Sequence, residues 1–340
     1  MNTTLWTPTL SLFAVALACF AAAAITVVHA ADLDVQDSTD GKLPAQLQDT
    51  GLQARAELVE FAPQYPLWTD GAAKRRWMRL PPGKAIDASK PDGWSFPRGT
   101  KFWKEFSFGG RKVETRYIEH GRDGKWRFGS YLWNEAGTEA TLAPYRGADV
   151  TVAQAPQGRY TIPSRGDCIA CHGSTTVPVL GASALQLSSE LRSLVARGLV
   201  RGVPEAMLEQ PPQVAASTAV ERAALGYLHG NCAHCHNTSA WRVPLPLTLA
   251  QSAANPAASR DDVLRATLHA ESRWRPAGGP ALATVVEPGA PDASVLAHRM
   301  QSRNPRVQMP PLGTSVPDEE GIALVRRWIA ALPSHPKENP

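Results

Sequence analysis

Two pentapeptides repeat one order of reactive side chains: Cys168-Ile169-Ala170-Cys171-His172 in GDCIACHGS, and Cys232-Ala233-His234-Cys235-His236 in GNCAHCHNT. Two thiols three residues apart on one turn can ligate zinc, close a disulfide, or bond to the two vinyl groups on one edge of a porphyrin. The histidine that follows each pair separates these chemistries. A four-thiolate zinc site or a pair of disulfides leaves both imidazoles without a role. Cys-x-x-Cys-His is the attachment pattern of c-type haem, with the adjacent imidazole as proximal iron ligand. The spacing predicts two covalently bound haem c groups, one on Cys168, Cys171 and His172, the other on Cys232, Cys235 and His236.

The opposite face of each iron decides between electron transfer and chemistry on a small molecule. Met309 stands in RVQMPPLGTSVPDEEGIALVRRWIAALP, where the following proline stiffens the loop, and it is the expected sixth ligand of the second iron, with Met300 as the rival. Ser315 and Asp318 around Pro317 have capping-box spacing, and Ile322, Val325, Ile329 and Leu332 recur at helical spacing. Upstream, STAVERAALGYLHG predicts a helix with Val220, Ala224 and Leu228 on one face; a residue as small as Ala224 lets a second helix cross closely. The sixth position of the first iron stays open between Met207, His229, His234 and no protein ligand. Pro163 and the turn-like Ser-Arg-Gly-Asp argue against a helix leading into Cys168, and Leu185 to Arg197 reads as a helix closed by Gly198.

The order of leading helix, Cys-x-x-Cys-His, methionine loop and terminal helix over 217–333 resembles a class I cytochrome c domain, with a long Ala- and Pro-rich insertion between His236 and Met309. The resemblance implies histidine–methionine ligation of that haem and a terminal helix packed across the leading one.

Those segments need a scaffold. KRRWMRL, KFWKEFSFGG, RKVETRYIEH and KWRFGSYLW are short runs rich in aromatic and β-branched residues, separated by the turn signals PPGK, FGGRK and HGRDGK. They predict an antiparallel β domain over 50–155, expected to be a sandwich, joined through a linker in APQGRYTIPSRGD to two mainly helical haem segments at 160–212 and 217–333. The whole is a multidomain β plus all-α chain. YPLWTDGAAKRRWMRLPPG, followed in order by ETRYIEH, YLWNEAGTEATL and the two haem motifs, resembles a family of secreted two-haem c-type cytochromes with a β-rich N-terminal domain. That resemblance implies electron-carrier or oxidoreductase work in the bacterial envelope.

Leu10 to Val28 is almost wholly apolar, and Val28-His29-Ala30 is a plausible cleavage site, so 1–30 is expected to be a secretory signal peptide, leaving an exported, periplasmic protein with no membrane span after cleavage. Retention of that stretch as an anchor is the alternative. Of the five cysteines only Cys19 lies outside the motifs, within this segment. The formal charge of +4 is offset by the carboxylates that two haems bring, and no nucleic-acid partner is expected. Lys74, Arg75, Arg76 and Arg79 read as a solvated strand face beside inward tryptophans, with docking of an acidic partner as the alternative. Two functions compete: an exported di-haem carrier passing single electrons to or from another redox protein, and a haem enzyme of peroxidase or oxidase type with the first haem open and the second feeding it. Asp70, Glu114 and His120 share no spacing that assigns them a mechanism.

Overall fold

The computed structural model describes Met1 and residues 43–175, 177–239, 245–275 and 282–334. The signal segment assigned to 1–30, with Cys19, lies outside the described residues apart from Met1.

The four aromatic and β-branched runs form the heart of one six-stranded antiparallel sheet. Its strands are β1 (Val59–Glu60), β2 (Ala73–Arg79), β4 (Lys101–Phe108), β5 (Arg111–His120), β6 (Trp126–Trp133) and β7 (Ala140–Leu142), in the order β1-β2-β4-β5-β6-β7. Between β2 and β4 lies the short β3 (Ile86–Asp87), and after β7 a two-stranded ribbon pairs β8 (Ala148–Thr151) with β9 (Arg159–Ile162). The expected sandwich therefore takes another form among the described residues: the large sheet is covered by a chain segment on one face, and by the ribbon and helices on the other.

Side chains alternate across a strand, so each face has its own core. On one face Trp77, Trp103, Tyr117 and Tyr131 gather under Leu43, Leu47 and Leu52, and the Trp103 indole donates to Thr50 Oγ1 at 2.8 Å. Gly129 leaves room for this covering segment, since a Cβ on it would stand 2.5 Å from Leu43 Cδ1 and push that side chain aside. On the other face Met78 and Phe102, cross-strand partners, join a single large apolar cluster with residues of the C-terminal helices, including Leu225, Leu228, Val325 and Ile329. One core thus runs through all three predicted segments.

The helices are α1 (Arg165–His172), α2 (Leu191–Ala196), α3 (Glu205–Glu209), α4 (Ala219–Cys232), α5 (Pro256–Thr267), α6 (Val295–Gln301) and α7 (Glu319–Ala331). The expected helix from Leu185 is shorter than its leucine pattern suggests. Only Leu191–Ala196 is helical, although Leu185, Leu187, Leu191 and Leu194 are all buried, and Gly198 follows with φ 69°. After it β10 (Val200–Arg201) pairs in parallel with β3, so the middle of the chain adds a strand to the N-terminal unit. In α4, Ala224 and Leu228 are buried as expected, but Val220 is exposed because it lies in the first turn, ahead of the packed surface. The α4–α7 contact is made by a glycine on the opposite helix: a Cβ on Gly321 would lie 2.4 Å from the Tyr227 ring. No helix among the described residues is long and apolar enough to cross a membrane.

An ion pair within β5 is tied to the ribbon through Tyr160 on β9. Glu114 is fully buried and accepts from Arg116 Nε at 2.9 Å, Arg116 Nη2 at 3.1 Å and the Tyr160 hydroxyl at 2.7 Å. Burial, with the Glu114 carboxylate alongside, holds the Tyr160 phenol well above its ordinary range. Glu114→Ala leaves a guanidinium uncompensated in a water-poor site, so we expect a stability loss of about 3–5 kcal/mol, read as a lower urea midpoint at unchanged slope.

Candidate functional site

The first Cys-x-x-Cys-His does begin with a helix. Ser164 caps α1 through its side chain, accepting from Asp167 N at 3.1 Å, while the Asp167 carboxylate accepts from Ser164 N at 2.9 Å. This capping box lay in plain view as Ser-Arg-Gly-Asp, whose turn-like composition masked it. The supposed linker before it is β9 and the start of α1. The second motif starts on the last residue of α4, Cys232, and continues through a turn in which His236 N donates to Cys232 O at 2.9 Å.

The four motif cysteines are not joined to one another, so neither motif closes as a disulfide. Burial pushes the Cys168 thiol up to about 11, Cys171 and Cys232 to about 12, and raises Cys235 as well. No three His, Cys, Asp or Glu side chains among the described residues converge as a group that could hold a bare metal ion.

The two motifs face one space. A cavity of about 850 Å³ is lined by Cys168, Cys171, His172, Cys232, Cys235 and His236, and also by Met309, Met300, His234 and Arg116. The segments touch directly just beyond their histidines, where Asn237 Nδ2 donates to Ser174 O at 3.1 Å. His172 has its ring oriented by the chain: its Nδ1 lies 2.6 Å from the Pro178 carbonyl, which fixes that nitrogen as the donor and leaves Nε2 to accept or ligate. Phe128 packs on the same ring, centroids 5.1 Å apart. Burial lowers the imidazole to about 4, against the pull of the Pro178 bond, so His172 is neutral at ordinary pH, as a metal ligand must be. The His236 Nδ1 is buried without a hydrogen-bond partner among the described residues, and burial lowers that ring too.

Met309 reaches the cavity from a loop held at both ends. Met309 N donates to Arg299 O at 3.0 Å. Ser315 N and Val316 N both donate to the Asp70 carboxylate, at 2.8 and 3.1 Å, from the far side of the sequence. Ser315 was expected to cap the terminal helix; the cap is Asp318, which accepts from Gly321 N at 3.0 Å, and Ser315 serves the loop instead. Met300 also borders the cavity, but α6 buries it in the core at 6% exposure. Met207 packs against the same core and is not among the residues lining the cavity. His229 is occupied as well, its Nδ1 accepting from Gln251 N at 3.0 Å.

Asp70, Glu114 and His120 are not brought together: Asp70 anchors the methionine loop, Glu114 holds Arg116, and His120 stacks on Trp126 with centroids 4.5 Å apart. The basic run divides by strand parity. Arg75 and Arg79 face outward toward Glu60 and Glu57, whereas Lys74 and Arg76 turn toward the face that carries α1. Arg76 is 8% exposed, so the expectation of a wholly solvated face is corrected: the hydrogen-bonded register with β4 turns every second residue toward the packed side. Lys104 and Arg116 were not singled out in the sequence; the signal that could have found them is the period-two recurrence of cations in adjacent strands.

A porphyrin fits these residues on four counts: paired thiols beside each histidine, a tethered neutral imidazole, a buried unpartnered ring nitrogen at the other, and a largely apolar space between. Comparison with protein-family models, with curated proteins and with solved structures finds no match.

Proposed function

We propose that the chain is an exported two-haem c-type cytochrome that passes single electrons to or from another redox protein of the bacterial envelope. The observation that carries this reading is the convergence of both Cys-x-x-Cys-His segments and Met309 on one cavity. Haem bound there supplies reversible one-electron exchange at its iron. The chain's part is to hold and orient. Cys168 and Cys171 fix one group and Cys232 and Cys235 the other, His172 and His236 present neutral imidazoles, and Met309 offers a thioether from a loop braced by Asp70. Contact between the motif segments through Asn237 and Ser174 keeps the two centres close, which favours electron passage between them. The packing of α4 against α7 supports the cytochrome c-like arrangement of 217–333.

The packing of half-buried Met207 against the core, away from the cavity lining, favours one second reading, in which the first iron lacks a methionine of its own and is open to peroxide or oxygen. One preparation tests both. Protein matured in a host with c-type attachment machinery should show two haems by intact mass and by its alkaline pyridine spectrum, with no thiol left to titrate. Carbon monoxide added after dithionite should leave the spectrum unchanged for a pure carrier; a shift in half of the haem identifies the enzyme. Colourless protein with four reactive thiols overturns the proposal.

A further inference from the structure

Three histidine rings among the described residues border the cavity: His172 and His236, the two proximal positions, and His234. Cys232, Cys235 and His236 fall at i, i+3 and i+4 of a turn in which Cys235 N and His236 N both donate to Cys232 O, at 3.1 and 2.9 Å. Those positions share one face of a helical turn, and i+2 lies on the other. His234 occupies i+2, so its ring is directed away from the thiols and the imidazole of its own motif. Asn237 stands three residues on, on the face of His234, and its Nδ2 donates to Ala233 O at 2.7 Å and to Ser174 O at 3.1 Å. Ser174 follows His172 by two residues. The face that carries His234 is therefore the one turned to the first motif, and its ring borders the space that Cys168, Cys171 and His172 also line.

The other side chains that could close the first iron are engaged elsewhere. Met207 packs against the core and is absent from the cavity lining. His229 is absent from it too, and its Nδ1 accepts from Gln251 N at 3.0 Å. His120 stacks on Trp126 and His298 on Trp274, outside the lining. Met300 is buried in α6, and Met309 rides the loop braced by Asp70. The His234 ring, by contrast, makes no hydrogen bond among the described residues. An imidazole that lines a space between two attachment motifs and bonds to nothing has a nitrogen lone pair to give to a metal. We propose that His234 is the sixth ligand of the iron held by Cys168, Cys171 and His172. This rests on the two-haem reading above and decides against its open-iron form. Two imidazoles close the first iron to peroxide and oxygen, and set its potential below that of the iron with a thioether. One ligand of each iron then lies within residues 234–236, a covalent path of three residues between the centres.

The test uses the matured full-length chain with its His234→Ala, His234→Met and His229→Ala variants, read by the near-infrared charge-transfer bands of the ferric form and by carbon monoxide added after dithionite. All are expected to keep two haems by mass. The wild type should show one band of bis-imidazole ligation and one of methionine ligation, with no response to carbon monoxide. His234→Ala should lose the bis-imidazole band, keep the methionine band and let carbon monoxide shift half of the haem; added imidazole should reverse the change. His234→Met, which keeps a ligand at the position, should replace the bis-imidazole band by a second methionine band. His229→Ala should match the wild type. Two haems with no bis-imidazole band in the wild type overturn the ligand alone, as do unchanged bands in both His234 variants, or a first iron opened by His229→Ala instead. A wild type without haem overturns the two-haem reading and the ligand with it.

Discussion

Cys168→Ala combined with Cys171→Ala is expected to yield a protein that carries one haem instead of two, with its mass lowered by one haem group and its pyridine absorbance halved. The fold should survive the change. Both positions are only partly buried and neither sulfur is bonded to another, so the substitution removes little packing. The surroundings that orient His172, namely the Pro178 carbonyl and the Phe128 ring, stay in place. The second motif hangs on α4, whose core contacts through Ala224, Leu225 and Leu228 are made elsewhere. The haem that remains should keep its own spectrum, and the matching change at Cys232 and Cys235 should spare the other. Loss of all colour from either double variant would show that the two sites are not separately formed, and retention of two haems would show that these thiols are not the attachment points.

Met309→Ala is expected to leave attachment intact and to open one iron. The side chain sits on a loop whose backbone is held by Arg299 O at one end and by Asp70 at the other, so truncation removes the sulfur without releasing the loop. Axial ligands set haem potentials over a range of about 0.8 V, and replacing a thioether by water or nothing should lower this one by on the order of 0.1 V or more. Carbon monoxide should then shift the spectrum of half of the haem in the reduced variant. Survival of the ferric methionine charge-transfer band would make Met300 the ligand. Asp70→Ala should give a milder version of the same phenotype, because Ser315 N and Val316 N lose their shared acceptor and the loop loses its brace.

Short, contiguous strings are where single-chain reading is strongest. The strands at KRRWMRL, KFWKEFSFGG, RKVETRYIEH and KWRFGSYLW and the helices around Leu228 and Val325 were legible because period two and period 3.6 are local properties. The capping box at Ser164 was missed although it is equally local, since Ser, Gly and Asp favour turns and caps alike. Strand β9 was hidden for another reason: it alternates as a strand should, with Tyr160 and Ile162 buried between exposed neighbours, but four residues are too few to stand out from a linker until β8 pairs with them.

What the amino-acid order determined alone is the chemistry on offer: two thiol pairs each backed by an imidazole, one methionine before proline, and a run of cations in an aromatic-rich strand. Three-dimensional packing decided how these meet. It placed both motifs on one cavity, packed Met207 against the core away from that cavity, used Asp70 to brace a loop 245 residues away, and turned Arg76 inward while Arg75 stayed in solvent. Residue spacing specifies geometry only over a few turns or a single hairpin. Which strand face is covered, and by what, depends on the summed burial of apolar surface from distant segments, and that sum exists only once the chain has folded.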